Sequence, residues 1–104
     1  METIAFRMTL KPGMRDAYER RHREIWPELA HALTHAGVRD YWIFLDETSG
    51  QLFATLKRAP GHAMDDLPDL PVMRKWWDSM AELMETNPDR SPVQTALVPV
   101  FHLP

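Results

Sequence analysis

The chain is notable first for what it lacks. It has no cysteine among its 104 residues, so disulfides, thiolate nucleophiles and cysteine metal ligands are excluded. Its four glycines are scattered and form no phosphate-binding loop. No apolar run approaches the length of a membrane span. An alternating pattern is established by Ile4, which leaves no room for a signal peptide. We therefore expect a cytoplasmic protein.

Positive charge is also in short supply. The chain has twelve Lys and Arg and fifteen Asp and Glu, which gives a net charge of −3. Its largest basic cluster consists of Arg20, Arg21 and Arg23. This balance argues against nucleic acid or an anionic membrane as a partner. The length is that of one domain that can bury a real core, and we expect residues 1–104 to form it.

Alternating polar and apolar residues predict four strands. They fall at residues 3–10, 38–45, 52–57 and 93–103. The second and third are separated by the turn-forming sequence DETSGQ, which predicts a hairpin. Pro99 indicates that the last strand lies at a sheet edge or contains a bulge.

Helical periodicity predicts two helices. The first spans about residues 15–36 and stops at Gly37, with a kink or a break at Pro27. The second has Asp69 as a candidate N-cap and Pro71 in its first turn. Its apolar stripe consists of Met73, Trp76, Trp77, Met80, Leu83 and Met84.

The element order β-α-β-β-α-β predicts an α+β fold of the ferredoxin-like, split βαβ type. Two helices then cover one face of an antiparallel sheet. Val38, Trp42, Phe44 and several residues of the last strand cannot all point at those helices. An exposed apolar sheet face usually marks an association surface. We therefore expect a homodimer packed sheet to sheet, of the dimeric α+β barrel type.

The first helix carries two titratable residues at positions where helical periodicity predicts apolar ones. Phasing of about 100° per residue puts Tyr18 and His22 on the same stripe as Ile25 and Leu29. An imidazole titrates near pH ~6.5, so His22 is a candidate for proton transfer at neutrality. The alternative is a core histidine satisfied by Tyr18 or by a backbone carbonyl.

Three more aromatic residues could enclose this pair. Adjacent Trp76 and Trp77 lie about 100° apart on a helix, so they can form a wall and a corner of a pocket that suits the C–H faces of a sugar. Tyr41 shares the side of its strand with Ile43 and Leu45, beneath the helices, where its hydroxyl needs a partner or a ligand. Two ordinary core tryptophans are the competing interpretation.

Cofactor signals are weak. His31 and His35 have the i,i+4 spacing of metal ligands, but they lie nearly opposite the Tyr18–His22 stripe and no third ligand is apparent. Without a nucleotide motif or a metal cluster, we expect no cofactor and no metal. Proton transfer by side chains fits that expectation.

The sequence resembles the L-rhamnose mutarotase family. The resemblance rests on YERRHREIWPEL (18–29), KWWDSM (75–80), NPDRSPV (87–93) and VFHLP (100–104), and it covers essentially the whole chain. It implies a small homodimeric ferredoxin-like protein that interconverts the anomers of L-rhamnose. It also implies that His22 is the catalytic acid, and that Tyr18, Tyr41, Trp76 and Trp77 bind the substrate.

Two other functions remain open on the same framework. One is a dimeric ferredoxin-like monooxygenase acting on haem or on aromatic polyketides, in which His22 would ligate iron or contact the substrate. The other is a non-catalytic dimer module that binds a small molecule. Fold alone does not decide among them.

Overall fold

Four strands and three α-helices make up the protein. The structure is a computed structural model that describes residues 1–104. In chain order the elements are β1 (Glu2–Thr9), α1 (Arg15–Arg23), α2 (Pro27–His35), β2 (Val38–Asp46), β3 (Gln51–Arg58), α3 (Pro71–Met80) and β4 (Thr95–Leu97). Two 3₁₀ helices, Met64–Asp69 and Ala81–Leu83, flank α3.

The strands form one antiparallel sheet in the order β2-β3-β1-β4. Strand β1 is central and pairs with β3 along its whole length, from Glu2 opposite Arg58 to Thr9 opposite Gln51. The predicted α+β class and antiparallel topology are confirmed. No helix has both the length and the apolar character needed to cross a bilayer.

The first predicted helix is broken, as the proline indicates. Strand-like backbone angles at Trp26 (φ −60°, ψ 130°) separate α1 from α2, and Pro27 begins α2. Proline disfavours the helical conformation of the residue before it, and it has no N–H to offer the preceding turn. The break therefore follows from covalent geometry, and it allows α1 and α2 to run in different directions.

The last strand and the start of the second helix differ from their predicted bounds. The last strand is only Thr95–Leu97, because Val93 donates to the Glu85 carbonyl and Pro99 has no N–H with which to continue the ladder on β1. The N-cap of α3 is Leu70 and not Asp69, which ends the preceding 3₁₀ helix. Leu70 is extended (ψ 130°) because it precedes Pro71, so the helix begins one residue later than expected.

The helices cover one face of the sheet. Leu29 of α2 and Leu52 and Leu56 of β3 are the largest fully buried side chains in this layer. Val38, one of the residues that were expected not all to face the helices, belongs to the core, with 6% exposure. The reason is a β-bulge between Arg39 and Trp42, which reverses the alternation within β2.

The other face of the sheet has no covering layer. Trp42 and Phe44 are each 55% exposed there, and their rings stack at 5.7 Å with only 5° between their planes. Phe53 and Leu97 extend the same surface across the sheet. We call Trp42, Phe44, Phe53 and Leu97 the outer apolar face.

Two glycines give a matched test of the turn after α2. Gly37 and Gly13 both have positive φ, at 100° and 78°. A Cβ at Gly37 would lie 3.0 Å from the Cβ of His62, whereas one at Gly13 would meet nothing within 4 Å. Alanine at either site is strained by about 1–2 kcal/mol. We predict that Gly37→Ala lowers the free energy of unfolding by about 1–3 kcal/mol more than Gly13→Ala.

Urea unfolding of the two variants at one fixed protein concentration measures this difference. Equal losses in the two variants would contradict the close packing of Gly37 against His62.

Candidate functional site

A cavity of about 1040 Å³ opens between the helices and the covered face of the sheet. All five residues singled out from the sequence line it: Tyr18, His22, Tyr41, Trp76 and Trp77. They come from three elements, α1, β2 and α3. The structure therefore brings together every candidate site residue, although geometry alone does not assign their roles.

Tyr18 and His22 stand one turn apart at the cavity wall. Their rings lie 4.3 Å apart between centroids, at 35°. His22 Nδ1 donates a hydrogen bond of 2.9 Å to the backbone carbonyl of Tyr18. A carbonyl only accepts, so in neutral imidazole this bond places the proton on Nδ1 and leaves Nε2 as a base. The backbone satisfies one ring nitrogen, and the other remains available for chemistry.

Burial controls the charge of these groups. It lowers the pKa of His22 below 6.5, against an opposing effect of the hydrogen bond to Tyr18. It raises the pKa of the Tyr18 phenol far above its usual value, and nearby Tyr41 adds to that shift. Tyr41 exposes 40% of its surface, yet crowding around its phenol raises its pKa to about 12. At neutral pH the site thus holds a neutral imidazole and two neutral phenols.

Two tryptophans of α3 line the cavity, and a third, Trp26, packs against one of them. Trp76 packs edge-on against His22, with centroids 5.4 Å apart, and Trp26 packs edge-on against Trp76 at 5.2 Å. Trp77, next to Trp76 in α3, lies at the border of the core. Trp26 was not singled out from the sequence, although a kink or a break was predicted at Pro27. The rule that the residue before proline is extended could have revealed it, since helical phasing restarts at Pro27.

Several polar atoms of the site have no partner within the protein. Tyr18 Oη, His22 Nε2 and the indole nitrogens of Trp76 and Trp77 make no hydrogen bond to the chain, yet none is sealed from solvent. Buried polar groups normally find partners. These four atoms are open to solvent, so water or a polar ligand in the cavity can supply their hydrogen bonds.

Tyr41 lies at the bulge in β2. It points to the covered face in regular alternation with Ile43, and its ring packs edge-on against Phe6 at 6.4 Å. Asp40 adopts φ 49°, a left-handed conformation, and its carboxylate accepts a 2.9 Å hydrogen bond from the indole N–H of Trp42. The strand thus sends Tyr41 to the cavity and Trp42 to the outer apolar face.

Arg21 fixes α1 against the end of α3. Its guanidinium donates to the backbone carbonyl of Ser79 and forms an ion pair with Glu82. Arg21 precedes His22, and Ser79 lies one turn after Trp76. The two walls of the cavity are therefore joined by a charged crosslink just outside it.

The other histidines contribute nothing to this site. His31 and His35 stack on each other with centroids 6.1 Å apart. The structure contains no cluster of three or more His, Asp or Glu side chains able to hold a metal ion.

Known proteins match both the sequence and the geometry. A sequence model of the L-rhamnose mutarotase family matches residues 3–103. The chain belongs to this family. An L-rhamnose mutarotase from Paraburkholderia phytofirmans is 66% identical over 99% of this chain and 96% of that protein. The crystal structure of an L-rhamnose mutarotase from Formosa agariphila superimposes with a TM-score of 0.94, at 42% identity, over 100% of both chains.

A more distant likeness concerns the fold alone. A crystal structure from Chloroflexus aurantiacus, described as an antibiotic biosynthesis monooxygenase candidate, has a TM-score of 0.55 at 18% identity. It covers 96% of this chain and 95% of that one. Such a framework supports many unrelated activities, so this match carries no argument about chemistry.

The left-handed residue of the bulge offers a test of how Tyr41 is placed. Asparagine tolerates positive φ and keeps an oxygen acceptor for Trp42, whereas β-branched valine does neither. We predict that Asp40→Val destabilises the protein by about 1–3 kcal/mol and weakens ligand binding, while Asp40→Asn changes little. Urea unfolding and calorimetric titration with L-rhamnose measure the two effects. Indistinguishable Val and Asn variants would show that the bulge does not depend on this residue.

Proposed function

We propose that this chain interconverts the α and β anomers of L-rhamnose by acid–base assisted opening and reclosure of the sugar ring. The observation that carries the proposal is the set of polar atoms, open to one cavity and without protein partners, around a neutral histidine. The names of the relatives supply the sugar. The reaction needs only proton transfer and positioning, which these side chains can provide.

The proton balance is simple. Ring opening moves one proton from the anomeric hydroxyl to the ring oxygen, breaks the bond from C1 to the ring oxygen, and leaves an aldehyde. Rotation about C1–C2 followed by the reverse steps gives the other anomer. Neutral His22 would accept the hydroxyl proton at Nε2, and the imidazolium formed would act as the acid towards the ring oxygen. The two oxygens share C1, so one imidazole can serve both.

Burial of His22 favours the return of the proton, and it weakens Nε2 as a base to the same extent. An imidazolium in this surrounding is a stronger acid than in water, because burial penalises its charge. It therefore returns its proton readily. The hydrogen bond from Nδ1 to the Tyr18 carbonyl holds the ring in place and stabilises its charged form.

The aromatic residues would bind the sugar. Trp76 and Trp77 offer ring faces for C–H groups and N–H donors for hydroxyls. Tyr18 and Tyr41 remain protonated across the physiological range, so both can donate hydrogen bonds. We add Trp26, whose edge-on contact would fix the orientation of the Trp76 ring.

We also propose a homodimer, packed through the outer apolar face, in the cytoplasm. A monomer of 12.1 kDa is expected to expose roughly 6000 Å². This chain exposes 7219 Å². The excess exceeds the ~800 Å² that each partner buries in a standard interface, so a second copy would bring the exposed surface to an ordinary value.

His22→Ala tests the proposed chemistry. In exchange NMR on an equilibrium mixture of L-rhamnose anomers, wild-type protein should produce cross-peaks between the two anomeric signals. We predict that His22→Ala reduces the exchange rate by about 10²–10⁴-fold, because the proton carrier is lost. His31→Ala, a matched histidine outside the cavity, should exchange the anomers like wild type.

Two results would overturn the proposal. Wild-type exchange no faster than buffer would refute the mutarotase activity, and calorimetric binding of the sugar would then favour a non-catalytic module. A shifted Soret band on titration with haemin would favour the haem-binding alternative.

The pH profile tests the protonation state. Because neutral His22 is the base, kcat/KM should fall with decreasing pH, with a midpoint below 6.5, and stay level up to about pH 9 while both phenols remain protonated. Stability should fall over the same acid range, since the unfolded chain binds more protons there than the folded one. An activity that rises as pH falls through 6.5 would show that protonated His22 is the starting form.

A further inference from the structure

Helix α1 is fastened to the rest of the chain by few contacts. Tyr18 is its one buried side chain, and its backbone hydrogen-bonds only within residues 11–25. A helix of nine residues is marginal on its own, so its position depends on what fastens it to its neighbours. His22, which the proposed mechanism needs in one fixed position, lies in the last turn of this helix.

Two side chains of α1 make polar links to other elements. At the N-terminal end Arg15 pairs with Glu47 at 3.0 Å, but both side chains are more than half exposed, and such pairs contribute little. At the C-terminal end the side chain of Arg21 is only 34% exposed. Its guanidinium binds two groups at the end of α3, the Ser79 carbonyl and the Glu82 carboxylate. Arg21 is therefore the stronger of the two links.

The C-terminal end of α3 suits a guanidinium. Carbonyl groups at a helix C-terminus carry partial negative charge, and the last turn of α3 contains no basic residue of its own. Glu82 adds a full negative charge just beyond that turn. Ser79, whose carbonyl accepts from Arg21, also donates a 2.8 Å hydrogen bond from Oγ to the Trp76 carbonyl. Arg21 is thus connected, through a single residue, to Trp76.

The Arg21 link stands outside the cavity. Arg21, Ser79 and Glu82 do not line it, whereas His22 and Trp76 do. Inside the cavity α1 and α3 meet through the edge-on contact of His22 with Trp76, at 5.4 Å between centroids. A sugar that enters the cavity competes with this ring contact, but it does not compete with the link made by Arg21.

We propose that Arg21 is a positioning residue for the exchange of anomers. By fastening the last turn of α1 to the end of α3, it sets the position of His22 relative to a sugar held by Trp76. The inference rests on the proposed role of His22 as the proton carrier. A displacement of a catalytic group by about 1 Å can lower the rate by about 10²-fold, so Arg21 affects the reaction without touching the sugar.

Two arginines of α1 give a matched test. Arg21→Met removes the link and keeps a good helix former, and Arg20→Met removes the preceding arginine, whose exposed side chain makes no hydrogen bond or ion pair. In exchange NMR over a range of L-rhamnose concentrations, we expect Arg21→Met to lower kcat by about tenfold or more. KM should change less, because the tryptophans remain on α3. Arg20→Met should match wild type, and urea unfolding checks that both variants are folded in the assay.

A second readout needs no activity. The ring protons of His22 lie within the ring currents of Tyr18 and Trp76, whose centroids are 4.3 and 5.4 Å away, so their chemical shifts report the position of the imidazole. His22→Ala identifies these signals by their loss. Arg21→Met should move them towards the shifts of an unfolded chain, and Arg20→Met should leave them in place.

The two readouts separate this inference from the proposed function. A kcat of Arg21→Met equal to that of Arg20→Met, a rise in KM alone, or a fall in kcat with unmoved His22 signals would each overturn the positioning role. Wild-type protein that exchanges the anomers no faster than buffer would overturn the proposed function instead. The His22 signals alone would then decide whether Arg21 holds this ring in place.

Discussion

The structure depends on one covalent constraint, the proline that interrupts the first helical segment. Pro27 has no N–H and forces Trp26 into an extended conformation, so α1 and α2 are separate helices. As a result His22 stands in the last turn of α1, and Trp26 turns its ring against Trp76. In an uninterrupted helix, Trp26 would point about 40° from the direction of His22, as helical spacing requires, and its ring would not pack on Trp76 in this way.

A second local irregularity, the bulge in β2, affects which side chains reach each face of the sheet. The bulge lets Val38 share the covered side with Tyr41, while Trp42 points to the outer side. The candidate site and the candidate interface are therefore back to back on a single strand. Asp40 bridges them, because its strained backbone belongs to the bulge and its carboxylate binds the indole of Trp42.

Much of the site was predictable because its residues violate the pattern of an ordinary core. A phenol and an imidazole one turn apart on an apolar stripe, and a strand tyrosine facing inwards, are visible in the sequence, and all of them line one cavity. Whether His22 is a ligand-facing group or a satisfied core histidine was not predictable. Which ring nitrogen binds the Tyr18 carbonyl depends on side-chain rotation, and only the structure shows that it is Nδ1.

By itself the sequence determined the α+β class, the antiparallel topology and an interruption of the first helix at Pro27, because periodicity and proline geometry act locally. Only the tertiary structure decided the rest. Contacts between distant elements placed Trp26 on Trp76 and shifted the pKa of His22, and the sheet register made Val38 core and Trp42 surface. Pairing with β1 defines the last strand as Thr95–Leu97, and Pro99 limits how far that pairing can extend.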